Sequence, residues 1–208
     1  MHRLDQLFIG FEGPIGAGKT TLARLLARHI EGNLVLEDLD GNEFLADFYA
    51  DRQRWSLGMQ LSFLAARHTQ LGEKLSPRVA PVVADFTYAK DNIFAGLLLQ
   101  GRELRLYKKI RSALSESEES PGVLVYLDAV NSVLLDRIRR RNRPYEASID
   151  ATYLDSVRKA YERYLASATN LNVLRYDTST LDLGSDSQLS QLYGKVLSAQ
   201  RIVEDTLR

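Results

Sequence analysis

The sequence predicts an α/β protein built on a buried parallel sheet, and three observations support this fold class. Short apolar runs alternate with longer amphipathic stretches along the 208 residues, which is the pattern of strand–helix units. The runs are almost continuously apolar, as expected for strands that are covered on both faces. The first run, Leu7–Glu12, leads directly into a glycine-rich segment and then into a helical pattern.

Five short apolar runs are the candidate strands, and glycine, proline or acidic residues bound them. They are Leu7–Glu12, Leu34–Glu37, Pro81–Phe86, Val123–Asp128 and Asn172–Tyr176. Ligands bind at the carboxyl ends of the strands in an open parallel sheet. Side chains at the ends of these runs are therefore candidates for a functional site.

Helical patterns fill the segments between the strands. The predicted helices are Lys19–Ile30, Glu43–Ala50, Trp55–Leu75, Asp91–Ser115, Ser132–Arg140, Ala151–Ala166 and a last one from about Gln188 to Leu207. No repeat, low-complexity tract or proline-rich linker interrupts the alternation. We therefore predict a single domain over residues 1–208.

The composition excludes several functional classes. The 27 basic and 27 acidic residues cancel, so the chain lacks the overall positive field that nucleic-acid and anionic-membrane binders usually carry. There is no cysteine, which excludes disulfides and thiolate metal sites and fits a reducing compartment. No apolar run approaches the roughly 20 residues of a spanning helix. We expect a cytoplasmic protein with no nucleic-acid or membrane partner.

The glycine-rich segment fits the pattern G-x-x-x-x-G-K-[ST] at every fixed position. It reads Gly13, Pro14, Ile15, Gly16, Ala17, Gly18, Lys19 and Thr20. In such a loop, successive backbone N–H groups and the following helix N-terminus surround phosphate oxygens. Lys19 is expected to reach the β- and γ-phosphates, and the Thr20 hydroxyl to ligate Mg²⁺. The segment predicts a P-loop NTPase fold that binds ATP or GTP. The sequence lacks the N-K-x-D element with which GTPases recognise guanine, so a GTPase is not indicated.

Two acidic residues stand at predicted strand ends. Glu37 ends the second strand, where it would accept a proton from an attacking hydroxyl or serve as an ordinary loop or N-cap carboxylate. Asp85 lies near the end of the third strand, beside the phosphate loop in a parallel sheet. We expect Asp85 to support Mg²⁺ together with Thr20.

The helix predicted from Trp55 carries two polar residues on its apolar face. Gln60 lies within the stripe of leucines, and Arg67 follows two turns later on the same face. Buried polar groups need hydrogen-bond partners. The two residues therefore either recognise the edge of a nucleobase or bond backbone groups in the core. The aromatic Phe94 would stack on a base or belong to the core.

The densest positive charge is a run of five arginines before a proline. It consists of Arg137, Arg139, Arg140, Arg141 and Arg143. Such a run is often a solvated face. In a neutral chain with a phosphate loop, we interpret it as a lid over transferring phosphates, covering about residues 137–150, because planar guanidinium groups match the spread charge of the transition state.

Taken together, these segments resemble the deoxynucleoside kinase family over about residues 7–166. The resemblance rests on the phosphate loop, on Glu37 followed by the segment 42–51, on the Tyr49 to Gln60 and Gln60 to Arg67 spacings, and on the R-x-R-x-x-E pattern that ends at Glu146. It implies a five-stranded parallel sheet with helices on both faces, a homodimer, and ATP as phosphate donor.

The resemblance also implies roles for individual residues. Glu37 would act as base on the nucleoside 5′-hydroxyl, and Tyr49 with Glu146 would hold the sugar 3′-hydroxyl. Gln60 would pair with the base, and Arg67 would help to select it. The lid would consist of Arg137, Arg141 and Arg143, with Arg137 also near the adenine of ATP.

The chain departs from the family pattern at the end of the third strand, where an acidic-Arg-Ser/Thr motif is expected. In one register Asp85 takes the place of the motif acid, Phe86 replaces the arginine, and Asp91 takes the position of a base-contacting aspartate. In the second register, which packing favours, Asp85 occupies the arginine position, Lys90 replaces the base-contacting aspartate, and Phe94 stacks on the base. Either way the motif arginine is missing, and Lys90 or a lid arginine would supply the cation near the acceptor hydroxyl.

The leading hypothesis is ATP-dependent 5′-phosphorylation of a deoxynucleoside in nucleotide salvage, with Mg²⁺ as cofactor. Gln60 and Arg67 favour a purine deoxynucleoside or deoxycytidine over thymidine. One alternative is a nucleoside monophosphate kinase similar to thymidylate kinase, which would need an arginine where Phe86 stands. Another is a regulatory ATP-binding module without an acceptor, for which the buried-face Gln60 and Arg67 have no evident use.

Overall fold

A computed structural model describes residues 7–76, 78–115, 118–182 and 185–206, and it contains the predicted five-stranded parallel sheet. The strands are β1 (Phe8–Glu12), β2 (Asn33–Val35), β3 (Val82–Ala84), β4 (Val123–Asp128) and β5 (Val173–Asp177). Their order in the sheet is β2-β3-β1-β4-β5, with all four pairings parallel. The phosphate-loop strand β1 is therefore central.

Eight α-helices and a 3₁₀ turn occupy the connections within these described residues. They are α1 (Lys19–His29), α2 (Leu45–Ala50), α3 (Arg52–Leu75), α4 (Ala89–Leu98), α5 (Gly101–Leu114), α6 (Asn131–Arg141), the 3₁₀ turn Pro144–Ser148, α7 (Ala151–Ser167) and α8 (Asp186–Thr206). No helix in the part of the chain that is described has both the length and the apolar composition to cross a bilayer.

Alternate residues of β1 face different helices, and this places helices on both sides of the sheet. Ile9 and Phe11 belong to the core cluster that contains Leu22 and Leu26 of α1. Phe8 packs instead in the cluster that contains residues of α3 and β3. Because successive side chains of a strand point to opposite faces, the two clusters cover the two faces. The predicted fold class is confirmed.

The single helix predicted over Asp91–Ser115 is wrong, because the structure divides this segment into α4 and α5. The backbone at Leu99 and Gln100 is extended. Gly101 then takes a positive φ of 54°, which glycine adopts without steric cost. The periodic apolar pattern continues across the break, so periodicity alone does not reveal it.

The remaining element boundaries differ from the predicted ones by a few residues. The helix predicted from Trp55 begins at Arg52, because the Asp51 carboxylate accepts a hydrogen bond from the Arg54 N–H and caps the helix. The predicted β2 and β3 are longer than the observed strands, so Glu37, two residues after β2, and Asp85, directly after β3, lie in loops. The edge strand β5 is not covered on both faces as predicted, since its residues are half-buried or exposed. The last residue of the predicted C-terminal helix, Leu207, lies outside the described residues.

Candidate active site

The phosphate loop joins the central strand β1 to α1, as its sequence predicts. Gly13 has a φ of 139°, and a Cβ atom there would lie 2.0 Å from the carbonyl oxygen of Leu127 on β4. A side chain is therefore excluded both by backbone conformation and by the neighbouring strand. The loop leads into the N-terminus of α1 at Lys19, where the helix dipole favours a negatively charged ligand.

Lys19 folds back over its own loop. Its ammonium donates to the carbonyl oxygens of Gly13 at 2.8 Å and Pro14 at 2.9 Å. Burial and the nearby Lys90 ammonium lower the pKa of Lys19 to about 8, against the opposing pull of the surrounding carboxylates. The ammonium is thus charged at neutral pH and rests where the phosphates of a nucleotide would replace backbone carbonyls as its partners.

Thr20 and Asp85 lie side by side next to the loop. The Thr20 hydroxyl donates to Oδ2 of Asp85 at 2.5 Å, and the other carboxylate oxygen accepts the backbone N–H of Glu37 at 2.8 Å. A hydroxyl and a carboxylate are oxygen donors of the kind that Mg²⁺ prefers. This donor set fits the predicted magnesium site.

Glu37 binds two cations, one on each carboxylate oxygen. Arg67 donates from Nε at 2.9 Å and from Nη2 at 2.7 Å to Oε1, and Lys90 lies 2.5 Å from Oε2. Burial opposes ionisation of Glu37, but the charges and hydrogen bonds of Lys90 and Arg67 outweigh it and lower the pKa to about 2. Glu37 is therefore a carboxylate throughout the physiological range.

Arg67 is almost fully buried, and its partners are acidic side chains. Besides Glu37 it binds Oδ1 of Asp91 through Nη1 at 2.5 Å, and its guanidinium lies over the Phe63 ring at 4.7 Å. Each guanidinium nitrogen thus has a carboxylate partner. The resemblance implies that Arg67 helps to select the base. Arg67 would do so from beside the cavity, with its guanidinium held by the two carboxylates.

The structure distinguishes the two registers considered for the segment after β3. Lys90 and Phe94 line the cavity in front of Glu37. Asp91 is completely buried behind Arg67, and it does not line that cavity. Lys90 and Phe94, the two residues that the second register assigns to the site, therefore face the cavity, and Asp91 does not.

The cavity in front of Glu37 has a volume of about 270 Å³ and is half polar. Among the residues lining it are Tyr49, Met59, Gln60, Phe63, Phe94 and Glu146. The amide oxygen of Gln60 is buried and has no hydrogen-bond partner among the described residues, and its amide nitrogen donates to the Met59 sulfur at 3.4 Å. A buried, unpaired amide that lines a cavity is available to a ligand edge.

Tyr49 and Glu146 both line this cavity, and two arginines contact Glu146. Arg141 donates to both carboxylate oxygens of Glu146 at 2.6–3.1 Å, and Arg143 lies 3.6 Å away. The Tyr49 ring stacks on Tyr145 with ring centres 5.7 Å apart. Tyr145 also lines the cavity, with a buried hydroxyl that lacks a partner. No role for Tyr145 was predicted from the sequence, although Tyr145 lies within the R-x-R-x-x-E segment.

The arginine run divides into two groups. Arg137, Arg141 and Arg143 face the phosphate loop and line a second cavity of about 390 Å³, together with residues 16–22, Thr178 and Leu181. Arg139 and Arg140 face away, and Arg140 is largely exposed and pairs with Asp136 on its own helix. The three arginines to which the resemblance assigns the lid are therefore the three that line this cavity.

Arg137 is tied to the turn after β5. It donates to the hydroxyl of Thr178 at 2.9 Å and to its carbonyl oxygen at 2.7 Å, and the Thr178 hydroxyl in turn donates to the carbonyl of Ala17 in the phosphate loop. Thr178 is buried although it follows an edge strand. In the sequence, the signal for the Arg137–Thr178 contact is that Thr178 is polar although it follows an apolar run.

The two cavities meet at the phosphate loop. Gly16, Lys19, Thr20, Arg141 and Arg143 line both of them. One cavity thus borders the phosphate loop and the other the Glu37 carboxylate, with three loop residues and two arginines shared between them. Two ligands bound in these cavities would present their reacting groups to each other across Lys19 and the lid arginines.

Comparison with known proteins identifies similar chains. A family model described as "Deoxynucleoside kinase" matches residues 9–197. Deoxyguanosine kinase of Bacillus subtilis is 37% identical over 158 residues, which cover 74% of this chain and 76% of that protein. Deoxyadenosine kinase of Dictyostelium discoideum is 30% identical over 195 residues, which cover 91% and 78%. A solved structure of deoxyadenosine kinase from M. mycoides with bound dCTP has the same fold, with a TM-score of 0.80 and 22% identity over 92% of this chain and 100% of that one.

Proposed function

The chain belongs to the deoxynucleoside kinase family and phosphorylates deoxynucleosides, and from this premise we propose that it transfers the γ-phosphoryl group of ATP to the 5′-hydroxyl of a purine deoxynucleoside or deoxycytidine in nucleotide salvage. One observation carries the proposal. The cavity beside the phosphate loop and the cavity beside Glu37 share Lys19, Thr20, Arg141 and Arg143. A donor and an acceptor held on either side of these residues have the geometry of an in-line transfer.

On the donor side, the backbone N–H groups of the phosphate loop, which Pro14 lacks, bind the phosphates of ATP. Lys19 exchanges its carbonyl partners for the β- and γ-phosphate oxygens. Arg137, which the buried Thr178 holds against the loop, lies beside the nucleotide in the same cavity. The loop thus supplies phosphate binding without any large movement of the sheet.

Thr20 and Asp85 would hold the Mg²⁺ ion. Their oxygens lie 2.5 Å apart beside the loop, and Asp85 keeps its orientation through the Glu37 N–H. When bound, Mg²⁺ neutralises charge on the β- and γ-phosphate oxygens. Asp85 also links the metal side of the site to Glu37 directly, since the two residues share a hydrogen bond.

On the acceptor side, Glu37 orients the 5′-hydroxyl and takes its proton late in the transfer. Its low pKa makes it a weak base, which suits a loose transition state in which the hydroxyl becomes acidic only as the bond to phosphorus forms. Lys90 supplies the cation that the missing motif arginine would provide. Held on Oε2 of Glu37, its ammonium lies where negative charge gathers between donor and acceptor.

The base and the sugar occupy the remainder of the acceptor cavity. Gln60 presents an unpaired amide oxygen to the base edge, and the Phe94 ring provides a stacking surface. Tyr49 and Glu146 also line this cavity, and they would bind the sugar 3′-hydroxyl. The names of the similar Bacillus and Dictyostelium kinases, which specify deoxyguanosine and deoxyadenosine, support a purine as the base.

Arg141 and Arg143 complete the site as a lid. Both line the two cavities, and both contact Glu146. Binding of the sugar to Glu146 and binding of phosphate to these arginines are therefore coupled through shared side chains. Guanidinium groups in this position stabilise the charge of the transferring phosphoryl group.

The family resemblance further supports a homodimer, and the cysteine-free sequence supports a location in the reducing cytoplasm. Sedimentation equilibrium of the purified protein tests the first proposal. A mass near twice 23.5 kDa is expected, and a mass of one chain at micromolar concentration would contradict it.

The experiment for the proposed function is a turnover panel. The purified protein is incubated with Mg²⁺ and ATP and offered the four deoxynucleosides, their ribose counterparts and the monophosphates, and the products are separated chromatographically. We expect 5′-monophosphates from deoxyguanosine, deoxyadenosine or deoxycytidine. Conversion of monophosphates alone, or ATP binding without turnover of any nucleoside, would refute the proposal.

A further inference from the structure

Glu12, the last residue of β1, is a fully buried carboxylate that the proposed mechanism does not use. Its Oε1 accepts the N–H of Thr87 at 2.7 Å and the Thr87 hydroxyl at 2.8 Å, and its Oε2 accepts the Tyr161 hydroxyl at 2.7 Å. Burial of a carboxylate is costly unless donors satisfy it. Three donors from two other elements, and no acceptor, are arranged around the ionised form.

On one side this network begins the helix that carries Lys90. The Thr87 hydroxyl accepts the N–H of Ala89, and the Thr87 carbonyl accepts the N–H of Lys90. Gly10 provides the space for this arrangement, because a Cβ there would lie 2.2 Å from the Thr87 methyl group. Glu12 therefore sets the first turn of α4, from which Lys90 reaches Glu37.

On the other side the network adjoins the phosphate loop. Glu12 precedes Gly13 in the chain, and the Gly13 backbone N–H lies beside the Tyr161 oxygen. The Tyr161 ring also packs edge-on against Phe94 at 6.2 Å between ring centres. Tyr161 thus contacts the first residue of the loop, the Glu12 carboxylate and the aromatic side chain of the acceptor cavity.

We propose that Glu12 is a positioning residue that holds the phosphate loop and the Lys90 end of α4 in one register, through Tyr161 on the loop side and Thr87 on the helix side. The inference rests on the proposed phosphoryl transfer, in which the donor phosphates and the acceptor hydroxyl must be aligned. Burial raises the pKa of Glu12, and the Lys90 ammonium and the hydrogen bonds from Tyr161 and Thr87 oppose that rise. Loss of the Tyr161 hydrogen bond should then affect the phosphate loop, and loss of the Thr87 hydrogen bond should affect the Lys90 end of α4.

Two conservative variants test the phosphate-loop side and the α4 side of the Glu12 network separately. Tyr161→Phe keeps the ring against Phe94 but removes the hydroxyl from Glu12 and Gly13. Thr87→Val keeps the methyl group opposite Gly10 but removes the hydroxyl from Glu12. Glu12→Gln removes the charge and affects both sides, and the two single variants keep the test valid if Glu12→Gln does not fold.

The test measures binding of a non-hydrolysable ATP analogue with Mg²⁺, binding of the deoxynucleoside that the wild type uses best in the turnover panel, and kcat. Tyr161→Phe is expected to weaken analogue binding about tenfold with little change in nucleoside binding, whereas Thr87→Val is expected to lower kcat about tenfold with analogue binding unchanged. Tyr164→Phe, one turn further along α7, is the matched control and should change neither quantity.

The proposal is overturned if both variants leave binding and kcat unchanged, if both change every quantity by the same factor, or if Tyr164→Phe has the effect of Tyr161→Phe. Absence of turnover by the wild-type enzyme on every nucleoside would contradict the proposed function instead. The ATP-analogue titrations do not depend on turnover and still test the loop side of the proposal in that case.

Discussion

The Lys90 ammonium lies 2.5 Å from Oε2 of Glu37, on the side of the carboxylate that Arg67 leaves free. Both side chains are largely buried. The pair provides the acceptor cavity with a cation and a carboxylate. In the proposed mechanism, Lys90 takes the place of the motif arginine that is missing after β3.

Replacing Lys90 tests this relationship. Lys90→Met should lower kcat about 100-fold, because a preorganised charge beside the reacting groups is lost, while Lys90→Arg should retain most of the activity. The Lys90 and Arg67 cations lower the pKa of Glu37 in the folded protein to about 2, from the ordinary glutamate value of 4.5. Its ionisation therefore stabilises the fold above about pH 4.5, and this contribution is lost as the pH falls toward 2.

Lys90→Met removes one of the two cations that lower the pKa of Glu37 and leaves the burial that raises it. The acid limb of the kcat profile and the acid unfolding midpoint should both move to higher pH. Activity assays and circular dichroism, carried from pH 8 down to below the Glu37 pKa of about 2, measure the two shifts. Unchanged acid behaviour in Lys90→Met would contradict the assignment of the low pKa to this pair.

Glu37→Gln should abolish most of the transfer without affecting the donor site. We expect kcat to fall by about 100- to 10,000-fold, because the proton acceptor is lost, and the affinity for ATP to change little. Stopped-time assays at saturating ATP, with calorimetry for ATP binding, separate the two effects. Full activity of Glu37→Gln at saturating ATP would exclude Glu37 as the base.

Gln60→Leu should impair nucleoside recognition while leaving the protein stable. The Gln60 amide oxygen is buried without a partner, so its removal relieves an unsatisfied polar group in the free enzyme. We expect KM for the deoxynucleoside to rise about tenfold or more, discrimination between bases to weaken, and the thermal midpoint to stay level or rise. Gln70→Leu is the control, because it breaks an existing bond to the Leu36 carbonyl and should lower stability without altering base choice.

The lid arginines should differ sharply in their effects. Arg143→Ala removes a guanidinium that lines both cavities, and kcat should fall about 100-fold. Arg140→Ala, in the same run, removes a side chain that is 80% exposed and points away from the site, and kcat should be unchanged. Equal losses in the two variants would mean that the run acts through its overall charge rather than as a lid.

Gly13→Ala should eliminate ATP binding, because the added Cβ would lie 2.0 Å from the Leu127 carbonyl oxygen in a backbone conformation that alanine disfavours. Gly72→Ala is the matched control. Gly72 lies in α3 with open space around its Cα, so alanine there should raise stability by about 0.5–1 kcal/mol. Titration with ATP and thermal unfolding measure both variants, and wild-type ATP affinity in Gly13→Ala would contradict the assigned loop geometry.

Much of the fold can be read from local patterns. The five apolar runs correspond to the five strands, and the phosphate loop lies between β1 and α1 as its motif requires. The break between α4 and α5 is not visible in the same way. The apolar periodicity continues through Leu99, and only the conformations of Gln100 and Gly101 end one helix and start the next.

The candidate site is only partly readable from the sequence. Glu37, Gln60 and Arg67 stand out because they are polar where the pattern predicts strand ends or a buried face. The sequence leaves two registers open after β3, because spacing alone does not decide whether Lys90 or Asp91 faces the cavity. The sequence does not predict a role for Glu12, because acidic residues are common at the ends of strands. Its hydrogen-bond donors, Thr87 and Tyr161, are visible only in the tertiary structure.

The sequence by itself determines the phosphate loop and the parallel sheet, because both depend on local features: glycines where the backbone must curl, and apolar runs of strand length. Only the tertiary structure decides which charges meet. Residues 37, 67 and 90 come from separate elements, and their pairing depends on burial that excludes water from all three. In that environment each charge needs a partner, and the packing of β2, α3 and α4 determines which partner it finds.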